Sequence, residues 1–526
     1  MSKIAIIKIH PGLNMALPQL SGDLERAGHE SRMYFFKDYA VEDQYYSSSF
    51  ERGADGEFDV VHTEFDEEYD MLAKELEAFG PDAIGLSVIS LSIAEAIKTT
   101  QFLRSRFDVP ILWGGVGVTL EPEIAIRSAD LVCVGEGEEV LVEVADCLAE
   151  GRDWRQIPGT WVKSSEGEVI KHPKREIGSL DDIAIPNWDS SKMAFFVHGK
   201  NKAGEVTLKV NKNARALERV TDGDYQIMTQ RGCPFSCSFC VESRYQEMFG
   251  KKKSLRRRSV DVVIEELVRA KEEIDPFVIW FWDDVFTLNP RWLAEFLPKY
   301  KEHVDIPFWC YTYPTTHDLS LLKDLHAAGC NCMSMGIQSG SERVLKEVYN
   351  RPTPLKRVIE AAQEIVDANI VGYFDLISQS SFETEEDLRS TFEFLVDLPQ
   401  EMNYIGIGEM KSYPTYAYTR AEEEAQVTNI ASSKTAPSQS LYDYYHKLYW
   451  VARNPFISRE EKLEIGNERA LYGRADLLEP FIYGERTVLT AVREMRHATK
   501  TGKQPDELFP KGVYVPHSLE AARTTA

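Results

Sequence analysis

Two blocks of short apolar strand-like runs, each run followed by an amphipathic helical stretch, constrain this chain more than any other feature of its sequence. In the first block the runs fall at residues 3–9, 83–89, 109–113 and 129–134. In the second they begin near Tyr225 and recur at 277–282, 307–311, 332–337, 371–377 and 404–410. Strands that are apolar throughout need both faces covered, and a helical crossover between them makes the sheet parallel. The α/β fold expected is a Rossmann-like parallel sheet domain over residues 1–150, followed by a full or partial (βα)6 TIM-type barrel over 224–418. Residues 151–223, turn-rich and charged, are expected to connect the two with small hairpins. Residues 419–526 are expected to form a helical C-terminal domain that covers the barrel and its substrate, with a frayed tail after Lys500. Sheets of both kinds bind ligands where strands give way to loops. In the first domain that edge carries Ser87, Ser90, Gly114, Gly115, Gly135, Glu136 and Gly137.

Composition narrows the class. The 526 residues are too many for one core, and 60 Lys+Arg against 84 Asp+Glu give a formal charge of −24, which argues against binding nucleic acid through bulk charge. The basic run at 251–258 has no interleaved aromatics for base stacking and reads as a solvated loop. No apolar run approaches the roughly 18 residues of a membrane span, and the first residues show no signal-peptide cleavage pattern. A soluble, cytoplasmic protein is expected.

Eight cysteines are too few for a disulfide scaffold, yet three crowd together in RGCPFSCSFC as Cys233, Cys237 and Cys240. Their spacing lets three thiolates close on one face of an iron-sulfur cubane, leaving one iron open. Zinc is the alternative, but it needs a fourth ligand, no second CxxC or HxxxH follows, and Cys310, Cys330 and Cys332 could give one only if the fold brings them over. Those three read more simply as small core residues.

With its context, the motif CPFSCSFC resembles that of the radical S-adenosylmethionine enzymes. The resemblance extends to RRRSVDVVIEEL, FWDDVFTLN, CMSMGIQSGSERVL and RPTP. It implies a 4Fe-4S cluster held by Cys233, Cys237 and Cys240, with S-adenosylmethionine on the open iron and cleaved by one electron to a 5′-deoxyadenosyl radical. Gly336, Gln338, Ser339 and Gly340 would then lie against the cofactor's ribose and methionyl part, and Arg258 near its anionic groups. Asp283 and Asp284 would hold its hydroxyls or ammonium, or else cap the next loop. Two departures stand out. Tyr311-Thr-Tyr-Pro314 replaces the usual arginine after the third strand, and residues 378–383 replace the usual glycine-proline-glutamate pattern.

The first domain resembles the cobalamin-binding domain of one large subfamily, on the residues LSVIS, WGGVGVTLEPE and VGEGE. The familiar Asp-x-His-x-x-Gly motif is absent; Ile9-His10-Pro11-Gly12 stands there, and His10 reads as a turn residue. Cobalamin is thus expected without a protein histidine on cobalt. Together the two resemblances imply a methyltransferase-like enzyme that moves a methyl group from methylcobalamin to an unactivated carbon or phosphorus centre. Oxidative cyclisation or ring rearrangement is the alternative, and a noncatalytic cobalamin- or iron-sulfur-binding regulator is one of another class. The implied partners are a small-molecule substrate and a one-electron reductant such as flavodoxin or ferredoxin, with no membrane. Trp282, Trp309, Tyr311 and Tyr313 are candidates to line the substrate cavity, or to pack the core.

Overall fold

The structure is a computed structural model that describes residues 1–9, 15–36, 51–52, 58–59, 66–164, 166–175, 178–200, 206–211, 224–400, 403–427 and 436–482. His10 and the tail after Lys500 lie outside the described residues. Contacts divide the chain into two units, Met1–Gly223 and Asp224–Ala526.

Unit one is built on β1 (Lys3–Lys8), β2 (Glu30–Phe35), β3 (Ala83–Ser87), β4 (Ile111–Gly114), β5 (Leu131–Cys133), β6 (Thr160–Lys163), β7 (Val169–Lys171), β8 (Met193–Lys200) and β9 (Val206–Asn211). They form one sheet in the order β9-β8-β2-β1-β3-β4-β5-β6-β7. The strands from β8 to β5 in that order pair in parallel. The edges are finished by antiparallel pairing, β6 and β7 on one side and β9 on the other. Residues 151–223 therefore do not stand between domains as a connector: they supply β6 to β9 and close both edges of the first sheet. They read as connector because edge strands are short and half-wet; β7 is exposed along its whole length.

Helices α1 (Ala16–Arg26), α2 (Asp66–Phe79), α3 (Ile93–Arg106), α4 (Pro122–Ser128) and α5 (Glu138–Glu150) cover this sheet. Ala5, Ile7, Ile84, Leu86, Ile111 and Trp113 pack with Leu72 and Leu76 of α2, Ile93 and Leu103 of α3, and Ala125 of α4. The alternate residues Ile4 and Ile6 are buried too, as a strand covered on both faces requires. The order β2-β1-β3-β4-β5 reverses direction at β1 and β3, which puts the ligand crevice of such a sheet at the ends of these strands.

Unit two contains β10 (Asp224–Ile227), β11 (Val278–Phe281), β12 (Phe308–Thr312), β13 (Cys330–Gln338), β14 (Val371–Ser378) and β15 (Asn403–Glu409), side by side in chain order. Every pair is parallel. Among the described residues β10 and β15 do not pair with each other, so the barrel is partial. The crossovers carry α6 (Val241–Phe249), α7 (Val260–Glu273), α8 (Pro290–His303), α9 (Leu319–Ala328), α10 (Leu355–Asp367) and α11 (Glu385–Asp397). Phe281 shows how the helix layer locks on, meeting Phe296 and Tyr300 of α8 with ring centroids 5.7 and 6.1 Å away.

After β15 follow α12 (Ala417–Glu424), α13 (Gln439–Ala452) and α14 (Arg459–Asn467). They belong to unit two rather than forming a domain of their own. The α13 helix packs along α11: Tyr449 donates its hydroxyl to the Leu388 carbonyl at 3.1 Å. The buried Arg453 guanidinium meets the carbonyls of Leu395, Leu398 and Pro399, where the helix leaves acceptors unused.

Candidate active site

The loop after β10 carries Cys233, Cys237 and Cys240, and most of its backbone carbonyls from Gly232 to Ser238 are tied down. Gln246 of α6 donates to the carbonyls of Cys233 and Phe235, Ser243 to that of Cys237, and Asn350 to that of Ser236. Ser238 donates its backbone N–H to the Tyr349 carbonyl and its hydroxyl to that of Val348. Phe235 stacks on Tyr313 at 3.8 Å, so Tyr313 supports this loop and does not line a cavity; its hydroxyl meets Thr353 at 2.6 Å. Gly232, at φ +87°, is required because a Cβ there would lie 2.3 Å from the Ser254 carbonyl oxygen.

All three thiols are free. Burial pushes Cys233 up to about 12 and raises Cys240 as well, with Asp284 and Cys237 adding to both. Thiols so placed ionise against a metal, which supplies the missing positive charge. Among the described residues no three His, Cys, Asp or Glu side chains converge as for a single ion. A cubane asks for something else, one thiolate at each of three corners, and the donor set fits it. Cys310 and Cys330, the alternative zinc donors, lie buried in β12 and β13 with sulfurs 3.9 Å apart, and Cys332 is buried beside them on β13.

Asp283 turns out to be an anchor of the loop. It is fully buried and accepts from the Thr229 and Gln230 backbone N–H groups at 2.6 and 2.9 Å, from the Thr229 hydroxyl, and from Arg257 at 3.2 Å. No lone pair is left facing a ligand, which corrects its assignment as a cofactor contact. Arg258 is corrected likewise. Its guanidinium is buried against Glu266 at 2.6 Å, and its backbone N–H bonds Thr229. Asp284 differs from both: it is open to solvent yet recessed among protein atoms. Desolvation and the neighbouring Asp283 push it up to about 6, and it acts electrostatically on Cys233 and Cys240. Of the two acids, Asp284 is the one whose charge raises Cys233 and Cys240.

The end of β13 is similarly divided. Gln338 sits at φ +72°, where the register with β14 shifts, and its side chain folds over Gly336. Ser339 is buried, and its hydroxyl caps the Ser341 backbone N–H at 3.1 Å. Gly340 is glycine because a Cβ would lie 2.5 Å from Thr391 of α11, so it serves helix packing and not close approach to a cofactor. Arg351 was passed over in the sequence although it opens the RPTP segment. Its guanidinium donates to Cys237 Sγ at 3.6 Å and to the Gly336 carbonyl at 2.6 Å, and lies 4.2 Å from the Tyr313 ring. Asp375, on β14 beside Gly336, was missed as well.

In unit one the loops after β3, β4 and β5 emerge at one sheet edge, which brings Ser87, Ser90, Gly114, Gly115, Gly135, Glu136 and Gly137 together there. The glycines do two different jobs. A Cβ on Gly115 or Gly117 would lie 2.6 Å from the Val88 oxygen or 2.3 Å from the Ile89 carbonyl carbon, so these two let neighbouring loops interlock. Gly135, at φ +113°, donates its N–H to the Thr119 hydroxyl, which itself bonds the Gly115 carbonyl. The result is a partly exposed shelf nearly free of side chains over 114–117 and 134–137, flanked by the Ser87 and Ser90 hydroxyls. A large flat ligand with phosphate and ribose groups fits such a shelf.

Residues 227–395 match the family described as the radical SAM superfamily, and residues 12–145 match the B12 binding domain. An uncharacterized methyltransferase of Pyrococcus horikoshii is 30% identical over 371 residues, 68% of this chain and 72% of that protein. The cytidylyl-2-hydroxyethylphosphonate methyltransferase of Streptomyces wedmorensis is 26% identical over 62% of this chain and 64% of its own length. Among solved structures, the radical S-adenosylmethionine methyltransferase TsrM of Kitasatospora setae, with cobalamin and a [4Fe-4S] cluster bound, superposes with a TM-score of 0.61 at 17% identity. That superposition covers 81% of this chain and 78% of TsrM, and it shows the fold. With both domains matched in one chain, and with a relative at 30% identity over two thirds of it, the chain belongs to the cobalamin-dependent radical S-adenosylmethionine methyltransferase family.

Proposed function

We propose that the enzyme methylates an unactivated carbon or phosphorus centre of a small molecule held on the inner face of unit two. The observation that carries this reading is the cysteine loop, whose backbone is fastened by Gln246, Ser243, Asn350 and Asp283. When bound, the cluster with S-adenosylmethionine supplies one-electron cleavage of a sulfonium, and cobalamin supplies a methyl-carrying cobalt.

The chain's own residues bind, orient and shield. Cys233, Cys237 and Cys240 hold the cluster, and Arg351 fixes the loop to β13 while offsetting thiolate charge at Cys237. Gln338 and Asp284 are the polar groups of the strand ends that remain to meet S-adenosylmethionine. Ser87, Ser90, Gly114, Gly135, Glu136 and Gly137 border the shelf of unit one and would hold cobalamin there. Trp282, Trp309 and Tyr311 face the side of the sheet away from the helices, where they keep water from a reactive substrate. The electron comes from an external reductant, of flavodoxin or ferredoxin type in this reading, in the cytoplasm. Among the described residues no helix is long and apolar enough to cross a membrane.

The test is incubation of the reduced holoenzyme with candidate substrates and S-adenosylmethionine deuterated in its methyl group. A product carrying the intact labelled methyl is expected. A product without it would overturn methyl transfer in favour of cyclisation or rearrangement.

A further inference from the structure

The strand residues that point away from the helix layer of unit two stand in register. Trp280 is paired with Trp309, Tyr311 with Ser334, Ser334 with Tyr373, and Tyr373 with Tyr404. Nearer the strand ends the row is Gly336, Asp375 and Gly406. The rings are continuous: Trp280 lies 4.5 Å from Trp309 and 5.5 Å from Trp282, and Trp282 lies 5.5 Å from Tyr311. All are only partly buried, whereas the opposite face, with Ile279, Phe281, Phe308 and Phe374, is closed by helices.

One acid stands on this aromatic wall. A Cβ on Gly406 would lie 2.6 Å from the Tyr373 hydroxyl and 3.0 Å from Asp375 Oδ1, so phenol and carboxylate overhang the same glycine. A side chain there would fill the space they border. Burial pushes the Asp375 carboxyl up to about 6, and among the described residues no cation pairs with it. On the same wall the Trp282 indole N–H is buried with no hydrogen-bond partner. A carboxylate recessed among rings without a counter-ion is costly for the fold alone. A neutral planar ligand leaves that charge unpaired, and an anion is repelled by it. A nitrogen cation satisfies it, and the faces of the surrounding rings attract the same charge. The place is also right for chemistry. Asp375 pairs with Gly336, whose carbonyl holds Arg351, which in turn touches Cys237.

We propose that the inner face of unit two recognises an amine substrate in its ammonium form, bound by Asp375 between the rings of Trp282, Tyr311 and Tyr373. This rests on the reading above that the inner face holds the substrate, and it adds the substrate's chemical class.

The experiment is anaerobic calorimetric titration of the reconstituted holoenzyme at pH 8 with amines and their neutral isosteres of equal shape: phenethylamine with 2-phenylethanol, and choline with 3,3-dimethylbutan-1-ol. At least one cation is expected to bind about tenfold tighter than its alcohol. Asp375→Asn is expected to abolish that preference, and Asp375→Glu to keep most of it. Equal affinity within both pairs, no binding by either cation, or a preference that survives in Asp375→Asn overturns the proposal. Reductive cleavage of S-adenosylmethionine by the wild-type protein is measured in parallel. An enzyme that cleaves without discriminating charge refutes amine recognition alone, and one that discriminates without cleaving refutes the radical reading alone.

Discussion

Arg351 joins three parts of unit two through one guanidinium: the Cys237 thiol, the Gly336 carbonyl and the Tyr313 ring. Removing it frees the loop and strips a positive charge from a metal ligand. Outer-shell partners of this kind are worth roughly 10–100-fold in metal affinity or activity. Arg351→Ala should therefore lower S-adenosylmethionine cleavage by about that factor at matched iron content, read as 5′-deoxyadenosine formed under reduction. Unchanged cleavage would mean that Arg351 only packs. The cysteine triad was legible in the sequence because its ligands are local, three thiols within eight positions. Asp283 was misread for the opposite reason. Its place at a strand end points to a ligand, but its partners Thr229 and Gln230 lie 54 and 53 positions earlier. Asp375 was silent because a lone acid in a strand gains meaning only when the register sets it against Gly336 and Gly406, among rings from other strands.

Most of the strand and helix alternation was legible, since buried parallel strands announce themselves as apolar runs; β2 was missed because its first three residues, Glu30, Ser31 and Arg32, are polar. The short, exposed β7 does not announce itself in this way, and in the turn-rich stretch 151–223 β6 to β9 read as a connector. The loops of unit one give a sharper case. Gly117→Ala places a methyl against the backbone of Ile89 and Ser90, where neither neighbour is a side chain that can swing away. Overpacking of this kind costs about 1–3 kcal/mol. The variant should show a lower urea midpoint and weaker retention of cobalamin absorbance, while its iron content stays unchanged. Glu383 ties the turn before α11 to α13, accepting from the Tyr442 hydroxyl at 3.2 Å. Burial pushes it up to about 8 from 4.5, against bonds from the Ser380 N–H and the Tyr442 hydroxyl of α13. Between those two values the folded state binds more protons than the unfolded one, so stability falls as pH rises through that window. Urea midpoints of the wild type should decline from pH 5 to pH 8 more steeply than those of Glu383→Gln; parallel slopes would contradict the assignment.

For the whole molecule, the acidic balance of −24 set aside nucleic acid but carried no information on the small substrate. What decided the function was two units of different chemistry in one chain, one offering glycine loops at a sheet edge and the other three braced thiols. The sequence motifs named these chemistries, and the structure showed that some of the named residues, Asp283 and Arg258 among them, are tied into the protein's own loops and helices. The units have separate cores, so loss of the cluster should leave unit one intact, and Cys233→Ala should retain cobalamin. In the proposed function Cys233, Cys237 and Cys240 hold the cluster that cleaves S-adenosylmethionine. The most direct test is chromatographic quantification of 5′-deoxyadenosine after anaerobic reduction of the cluster-loaded enzyme with S-adenosylmethionine. The expected result is formation by the wild type and none by Cys233→Ala; absence from a cluster-loaded wild type, or persistence in Cys233→Ala, would contradict this reading.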